Sequence, residues 1–294
     1  MNKVGFIGVG IMGKSMVRNL MKAGFELHIY ARTKSKVEDV ISEGAQFHES
    51  IKDCVQDCDA VITIVGFPQD VEEVYFDEGN ILDSAKEGAY LIDMTTTSPQ
   101  IAEKIYAEGT KRGFHVMDAP VTGGDTGAKA GTLSILVGGE KEDYEACMPL
   151  FEAMGTNINY QGKAGCGQHC KLANQIMIAG TLSGVCEALT YAKEQGLDPE
   201  VFMKSVATGA AGSKQLDTFG PKILKDDYAP GFFMKHFIKD MKLALIEANR
   251  KGLSLDVLSM VLANYEELEQ EGNGDLGTQA LMKFYDEEHR NTEE

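Results

Sequence analysis

The first residues in this 294-residue chain whose types and spacing point to chemistry are Gly8-Val9-Gly10-Ile11-Met12-Gly13, a GxGxxG motif. With 32 glycines in the chain, the pattern has little weight alone. Its weight comes from context, because it follows a strand-like run over 4–7 and opens a helical pattern over 12–23. In that setting Gly8 permits the tight turn, Gly10 lets the backbone approach a pyrophosphate, and Gly13 lets helix and strand pack closely. The unpaired N–H groups and the positive dipole end of the helix then face an anion. The competing reading is a glycine-rich turn without a ligand, and the strand–turn–helix context argues against it.

The second strand selects the dinucleotide. NAD sites place Asp or Glu about 20 residues after the motif to bond the ribose 2′-hydroxyl. Here the strand runs into Tyr30-Ala31-Arg32-Thr33-Lys34, and the first acid is Glu38. Arg32 offers a planar fork for a 2′-phosphate, Thr33 a hydroxyl, and Lys34 or Lys36 further positive charge. NADP, with NADPH preferred over NADH, is the expected cofactor; a solvated strand end is the alternative.

Three further segments stand out. Asp118-Ala119-Pro120-Val121-Thr122-Gly123-Gly124 is followed by Gly127 and Gly131. Gly165-Cys166-Gly167-Gln168-His169-Cys170-Lys171-Leu172-Ala173-Asn174-Gln175 opens the second half, and Lys239-Asp240 lies within His236 to Met241. With the glycine motif, these resemble the four signature segments of the β-hydroxyacid dehydrogenase family, in order and over essentially the whole chain. That family includes 3-hydroxyisobutyrate dehydrogenase, tartronate semialdehyde reductase and the glyoxylate/succinic semialdehyde reductases.

The resemblance implies roles. Lys171 matches the catalytic lysine: as hydride reaches a carbonyl carbon, charge develops on oxygen and a cationic donor must stabilise and protonate it. Desolvation and the helix N-terminus are expected to lower its pKa. Asn174, at i+3 on the same helix face, matches a residue that bonds substrate and orients the lysine, with Gln175 as a lesser contributor. Thr122, Gly123 and Gly124 match the loop that binds the substrate carboxylate, where the family more often has Ser at position 122. Thr95 matches a nicotinamide contact, against the alternative of a turn hydroxyl. Val65, Gly66 and Phe67 fall on the adenine side. Lys239 matches a cofactor-proximal lysine reaching from the helical domain, and Asp240 a brace. Lys235-His236 resembles the glyoxylate/succinic semialdehyde branch, and Ser213 and Gln215 fall where the family lines its pocket.

These residues need a frame to hold them. Strand patterns at 4–7, 26–30, 45–47, 60–65, 90–93, 114–117 and 133–137 alternate with helical patterns at 12–23, 34–43, 70–75 and 99–112. Such alternation implies parallel pairing with helices on both faces. A long helical pattern spans 165–195, of roughly 45 Å, and others span 199–207, 236–251, 255–270 and 277–289. The expected architecture is α/β: a Rossmann-type doubly wound, mostly parallel sheet over 1–162, then an all-α substrate and oligomerisation domain over 163–294, led by the long helix.

Bulk properties exclude other classes. A chain 43% apolar is globular. A formal charge of −17 opposes nucleic-acid and anionic-membrane binding. The start, Met1-Asn2-Lys3, does not have signal-peptide form, and no apolar run is expected to reach the roughly 18 residues a membrane span requires. Six scattered cysteines fit reduced thiols in the cytoplasm. The pairs Cys54/Cys58 and Cys166/Cys170 cannot alone complete a structural zinc site, so no metal is expected. The acidic tail (Glu287, Glu288, Glu293, Glu294) reads as a solvated end. A homodimer or homotetramer is expected by fold analogy.

The reading is NADPH-dependent reduction of a small anionic aldehyde or keto acid, such as glyoxylate or succinic semialdehyde, to the hydroxyacid. A 3-hydroxyisobutyrate or tartronate semialdehyde enzyme is the alternative within the family. A 6-phosphogluconate dehydrogenase-like decarboxylase needs a longer helical half. A cofactor-binding interaction module would lack Lys171 and Asn174.

Overall fold

The computed structural model describes residues 1–285. The acidic tail and the last part of the helical pattern at 277–289 lie outside the described residues. The chain divides into two compact units, Met1–Lys171 and Leu172–Glu294.

The first unit is built on a nine-stranded sheet. Its strands are β1 (Lys3–Ile7), β2 (Glu26–Tyr30), β3 (Gln46–Phe47), β4 (Ala60–Thr63), β5 (Tyr90–Asp93), β6 (His115–Asp118), β7 (Val121–Thr122), β8 (Leu133–Gly139) and β9 (Gly155–Gly162). The order is β3-β2-β1-β4-β5-β6-β8-β7, with β9 beside β8. The pairs from β3 through to β6 are parallel, as is β8 with β9, whereas β8 meets β6 and β7 antiparallel. This is the expected doubly wound, mostly parallel sheet.

The central strands are apolar on both faces because both faces are covered. Register places Val61, Leu91 and Val116 side by side, and Ile62, Ile92 and Met117 side by side. The first row enters one core and the second enters the other, as a side-chain period of two requires. The helix Ile11–Lys22 buries Met16, Val17 and Leu20 against the second core.

Parts of this unit depart from the sequence pattern. The helix expected over 34–43 is a 3-10 turn, Lys34–Lys36, and a short helix, Glu38–Ser42. Val37, between the two pieces, is buried like Val40 but has φ −124° and ψ 10°, outside the helical region, and this breaks the run in two. The stretch after β8 holds two short helices, Lys141–Ala146 and Met148–Met154. The polar strand β9 then forms through its ladder with β8.

The second unit is helical, with Pro199–Val206, Lys214–Ile223, Met234–Arg250 and Asp256–Gln270. A 3-10 helix, Thr278–Tyr285, stands where the described part of the α-helical pattern over 277–289 was expected. Lys214–Ile223 contains Pro221, which hides it from a propensity reading. Its core centres on Phe237 and Tyr265, packed edge to face at 5.4 Å. Tyr265 donates its buried hydroxyl to Thr278 O at 2.7 Å.

The helix Cys166–Glu194 runs through the boundary between the units. Its length and a mean hydropathy of 1.2 over its most apolar 18 residues satisfy the bare requirements of a membrane span. The expectation that nothing reaches that length therefore holds only for uninterrupted apolar runs. A soluble core helix passes the same test, and Leu172, Ala179, Leu182, Cys186 and Leu189 lie in the core of the helical unit.

The glycine turn yields a test of packing. A Cβ on Gly13 would lie 2.1 Å from Gly8 O, whereas one on Gly10 meets nothing within 4 Å. Gly13→Ala is expected to cost about 1–3 kcal/mol or more, and Gly10→Ala no more than about 0.5 kcal/mol. Denaturant midpoints of the two variants measure the difference; equal midpoints would contradict the close helix–strand approach.

Candidate active site

Gly8 turns the chain with φ +97°, which a side chain would rarely adopt. Gly10 caps the first helix without a side-chain bond, and no acid occupies that helix's first turn. Oriented N–H groups and the open Cβ position at Gly10 make a cradle suited to a pyrophosphate. Val9 is buried in the sheet core and Ile11 is 57% exposed, while Met12 is half-buried. The residues therefore fit a dinucleotide.

Beyond β2, Arg32 and Thr33 are at the surface. Arg32 Nη2 lies 2.8 Å from Asp70 Oδ1. Lys34 pairs with Glu49 at 3.3 Å and lies over the Phe47 ring. Val65 and Gly66 are half-buried, and Phe67 is exposed.

The ends of β4 and β5 are joined by a buried network. Thr63 donates its hydroxyl to Asp93 Oδ1 at 2.8 Å, and the Thr95 amide donates to the same oxygen at 3.1 Å. Thr95 Oγ1 accepts the Val65 N–H at 3.0 Å. The Thr95 hydroxyl thus holds the ends of two neighbouring strands together. Burial pushes the Asp93 carboxyl up to about 6 despite these donors.

Asp118, which ends β6, organises the start of the long helix. Its Oδ1 accepts the Gly165 N–H at 2.7 Å and its Oδ2 the Gln168 N–H at 2.8 Å. Burial raises its pKa while these two donors oppose the shift. Gln168, fully buried, donates through Nε2 to Thr95 O at 2.7 Å and accepts the Thr97 N–H through Oε1 at 3.0 Å. Lys171 follows three residues later, so it stands on the face fixed by Gln168, and it is 7% exposed.

In the helical unit, Asn174 donates to Gln175 Oε1 at 2.8 Å, and Gln175 donates to Asp240 Oδ2 at 2.7 Å. Lys239 Nζ lies 3.1 Å from Asp240 Oδ1. Asp240 is 1% exposed, making it the buried centre of this chain of bonds. Ser213 caps the helix Lys214–Ile223 by accepting the Leu216 N–H, and it lines a cavity of about 270 Å³ with Gly180, Phe202 and Leu216. Gln215 buries an oxygen without a hydrogen-bond partner.

Thr122 ends β7, Gly123 with φ +132° stands at the N-cap position, and Gly124 with φ +65° opens the short helix Gly124–Ala130. Both glycines are exposed and Thr122 is half-buried.

The Cys54/Cys58 pair packs in the core of the first unit. Cys54 Sγ donates to His28 O at 3.3 Å and Cys58 Sγ to Cys54 O at 3.1 Å. Burial pushes the Cys58 thiol up to about 12 and Cys54 higher still. Among the described residues, no group of three His, Cys, Asp or Glu is arranged for a metal.

Sequence reasoning gave no role to Asp70, Asp93, Asp118 or Gln168. One signal was available for two of them: Asp93 and Asp118 each end an apolar strand, and they are register partners. Their pKa shifts make a prediction. Asp93 binds its proton more tightly in the folded chain than at the ordinary 3.8. Its stabilising share is whole below about pH 4 and is lost as pH rises through about 6. At pH 7, Asp93→Asn removes that ionisation cost, on the order of 3 kcal/mol, set against its buried amide. The stability of the variant relative to the native chain should therefore increase between pH 4 and 7 in denaturant titrations. A difference independent of pH would contradict the raised carboxyl.

Comparison with known proteins matches both units. Residues 3–162 match the NAD binding domain of 6-phosphogluconate dehydrogenase. Residues 165–285 match the NAD-binding domain of NADP-dependent 3-hydroxyisobutyrate dehydrogenase. The chain is 49% identical over 282 residues to the uncharacterized oxidoreductase YkwC of Bacillus subtilis, covering 96% of this chain and 98% of that protein. It is 35% identical over 281 residues to 2-hydroxy-3-oxopropionate reductase of Escherichia coli, covering 96% of each. Among solved structures, Mycobacterium tuberculosis 3-hydroxyisobutyrate dehydrogenase with L-serine has a TM-score of 0.88 at 26% identity, covering 96% of this chain and 98% of that one. With both units matched and the resemblance sustained along the chain, this protein belongs to the β-hydroxyacid dehydrogenase family of NAD(P)-dependent oxidoreductases.

Proposed function

We propose that this chain reduces a small aldehyde or keto acid to the hydroxyacid with NADPH, using Lys171 as general acid. The observation that carries the reading is the buried Lys171, three residues beyond a Gln168 that is bonded to the 95–97 turn. When bound, the nicotinamide supplies the hydride equivalent. The protein's share is to bind, orient and move a proton. Gly8, Gly10 and Gly13, with the first helix, hold the pyrophosphate; Arg32 and Thr33 take the 2′-phosphate. Val65, Gly66 and Phe67 flank the adenine, and Thr95 and Lys239 complete the cofactor contacts. Thr122, Gly123 and Gly124 present a hydroxyl and backbone N–H groups to the substrate carboxylate. Lys171 protonates the developing alkoxide, and Asn174 bonds the substrate.

Glyoxylate, succinic semialdehyde or a related semialdehyde is the proposed substrate. A relative named 2-hydroxy-3-oxopropionate reductase supports a short carboxylated aldehyde. The absence of an acid from residue 30 to residue 37 supports NADPH. We also propose a cytoplasmic location, supported by six free cysteines, and a homodimer or homotetramer. Exposed Met177, Tyr191, Val201 and Val257 support the latter.

Lys171→Ala is expected to lower kcat by about 10²–10⁴-fold, with the NADPH Kd changed by no more than about threefold. The assay follows NADPH and NADH oxidation with glyoxylate, succinic, tartronate and methylmalonate semialdehydes. Near-normal turnover by the variant would remove Lys171 from the chemistry.

A further inference from the structure

The cation on which the NADPH reading rests is held by an acid that no strand-end pattern reveals. Arg32 Nη2 lies 2.8 Å from Asp70 Oδ1. Asp70 Oδ2 accepts the Phe67 N–H at 2.9 Å, so the carboxylate is held at both oxygens. The Asp70 side chain is 17% exposed and that of Arg32 70%. The acid is the anchored member of the pair, and the guanidinium reaches to it from the end of β2. Asp70 stands in the first turn of the helix Pro68–Phe76, directly after Val65, Gly66 and Phe67.

This pair acts oppositely on the two dinucleotides. A 2′-phosphate carries about −1.5 to −2 charge, as phosphate monoesters do near neutrality. To reach Arg32 it must share or displace the guanidinium and lie near a fixed carboxylate of like charge. A ribose 2′-hydroxyl is a donor and meets no such cost. For it, a carboxylate is the acceptor that NAD sites usually supply from the end of the second strand. Here that acid is delivered from the helix after β4.

We propose that Asp70 is a specificity-determining residue that restrains the preference for NADPH and leaves NADH usable. The inference rests on the reading of Arg32 as the 2′-phosphate group's partner.

The test is fluorescence titration of NADPH and NADH onto the full-length chain. Asp70→Asn keeps an oxygen to accept the Phe67 N–H and removes the charge. The NADPH Kd is expected to fall about two- to fivefold, the range of an exposed ion pair, with NADH unchanged or weaker. Glu72→Gln removes one acid from the same helix, where Glu72 pairs with Lys104. It is expected to leave both constants unaltered, separating a local effect from the net charge. In Arg32→Ala the NADPH Kd should rise, and the further change Asp70→Asn should still lower it, because the carboxylate held by the Phe67 N–H repels the 2′-phosphate with or without its partner. An unchanged NADPH-to-NADH ratio in Asp70→Asn would overturn the inference, as would an equal shift in Glu72→Gln. If Arg32→Ala leaves NADPH binding intact, the NADPH reading itself fails. If Arg32→Ala weakens NADPH and Asp70→Asn is silent, only the role of Asp70 falls.

Discussion

The bond between a buried carboxylate and the first N–H groups of the long helix is the constraint on which the site depends. A buried charge is costly unless hydrogen-bonded, and the Gly165 and Gln168 amides bond both oxygens of Asp118. The approach is close enough to exclude side chains around it. A Cβ on Gly138 would lie 2.6 Å from Asp118 Oδ1, and one on Gly167 2.3 Å from Leu136 O. These contacts fix where the helix begins and how it is rotated. Since Lys171 is less than two turns along, its placement follows from the end of β6.

The parallel sheet makes this arrangement possible. Parallel order brings the carboxyl ends of neighbouring strands to one edge, where ligands of open α/β sheets bind. Asp93 and Asp118 are register partners at that edge. Each uses its carboxylate differently: Asp93 ties β5 to Thr63 on β4, and Asp118 ties β6 to the helix. Gln168 closes the loop by bonding the backbone of Thr95 and Thr97. A displacement at any one of these strand ends is therefore transmitted to the others through buried, directional bonds.

What could be read from the sequence follows the range of the interactions. The glycine motif, β2 and β5 are local patterns, and β2 and β5 stand at the expected residues. Strand β9 was not legible because Gly-Thr-Asn-Ile-Asn-Tyr-Gln-Gly is polar and extended only by its partner. The run at 34–43 showed helical residue types and buries Val37 and Val40, but the chain leaves helical geometry at Val37, φ −124° and ψ 10°, which divides it in two. Lys171 was legible through its motif, whereas Gln168 in the same segment was not assigned a role. Its bonds join residues 71 and 73 positions apart, which no local spacing encodes. Asp70 escaped for the same reason: a search for an acid along the second strand does not extend to a helix 38 residues on.

The chain must bind two anions while carrying a formal charge of −17. The side-chain cations assigned to cofactor binding do not simply offset that charge, because Arg32 is paired with Asp70 and Lys239 with Asp240. Much of the attraction must then come from backbone dipoles. The first helix opens with no acid in its first turn and no side chain satisfying its N–H groups, so a pyrophosphate meets oriented donors and not a compensated ion pair. Distant carboxylates contribute little at that point, since salt screens charges beyond about 8–10 Å. Pairing the cations and leaving the amides open separates two functions. In the reading proposed above, the amides bind the part common to both dinucleotides, and the paired arginine is left to judge the 2′-position where they differ.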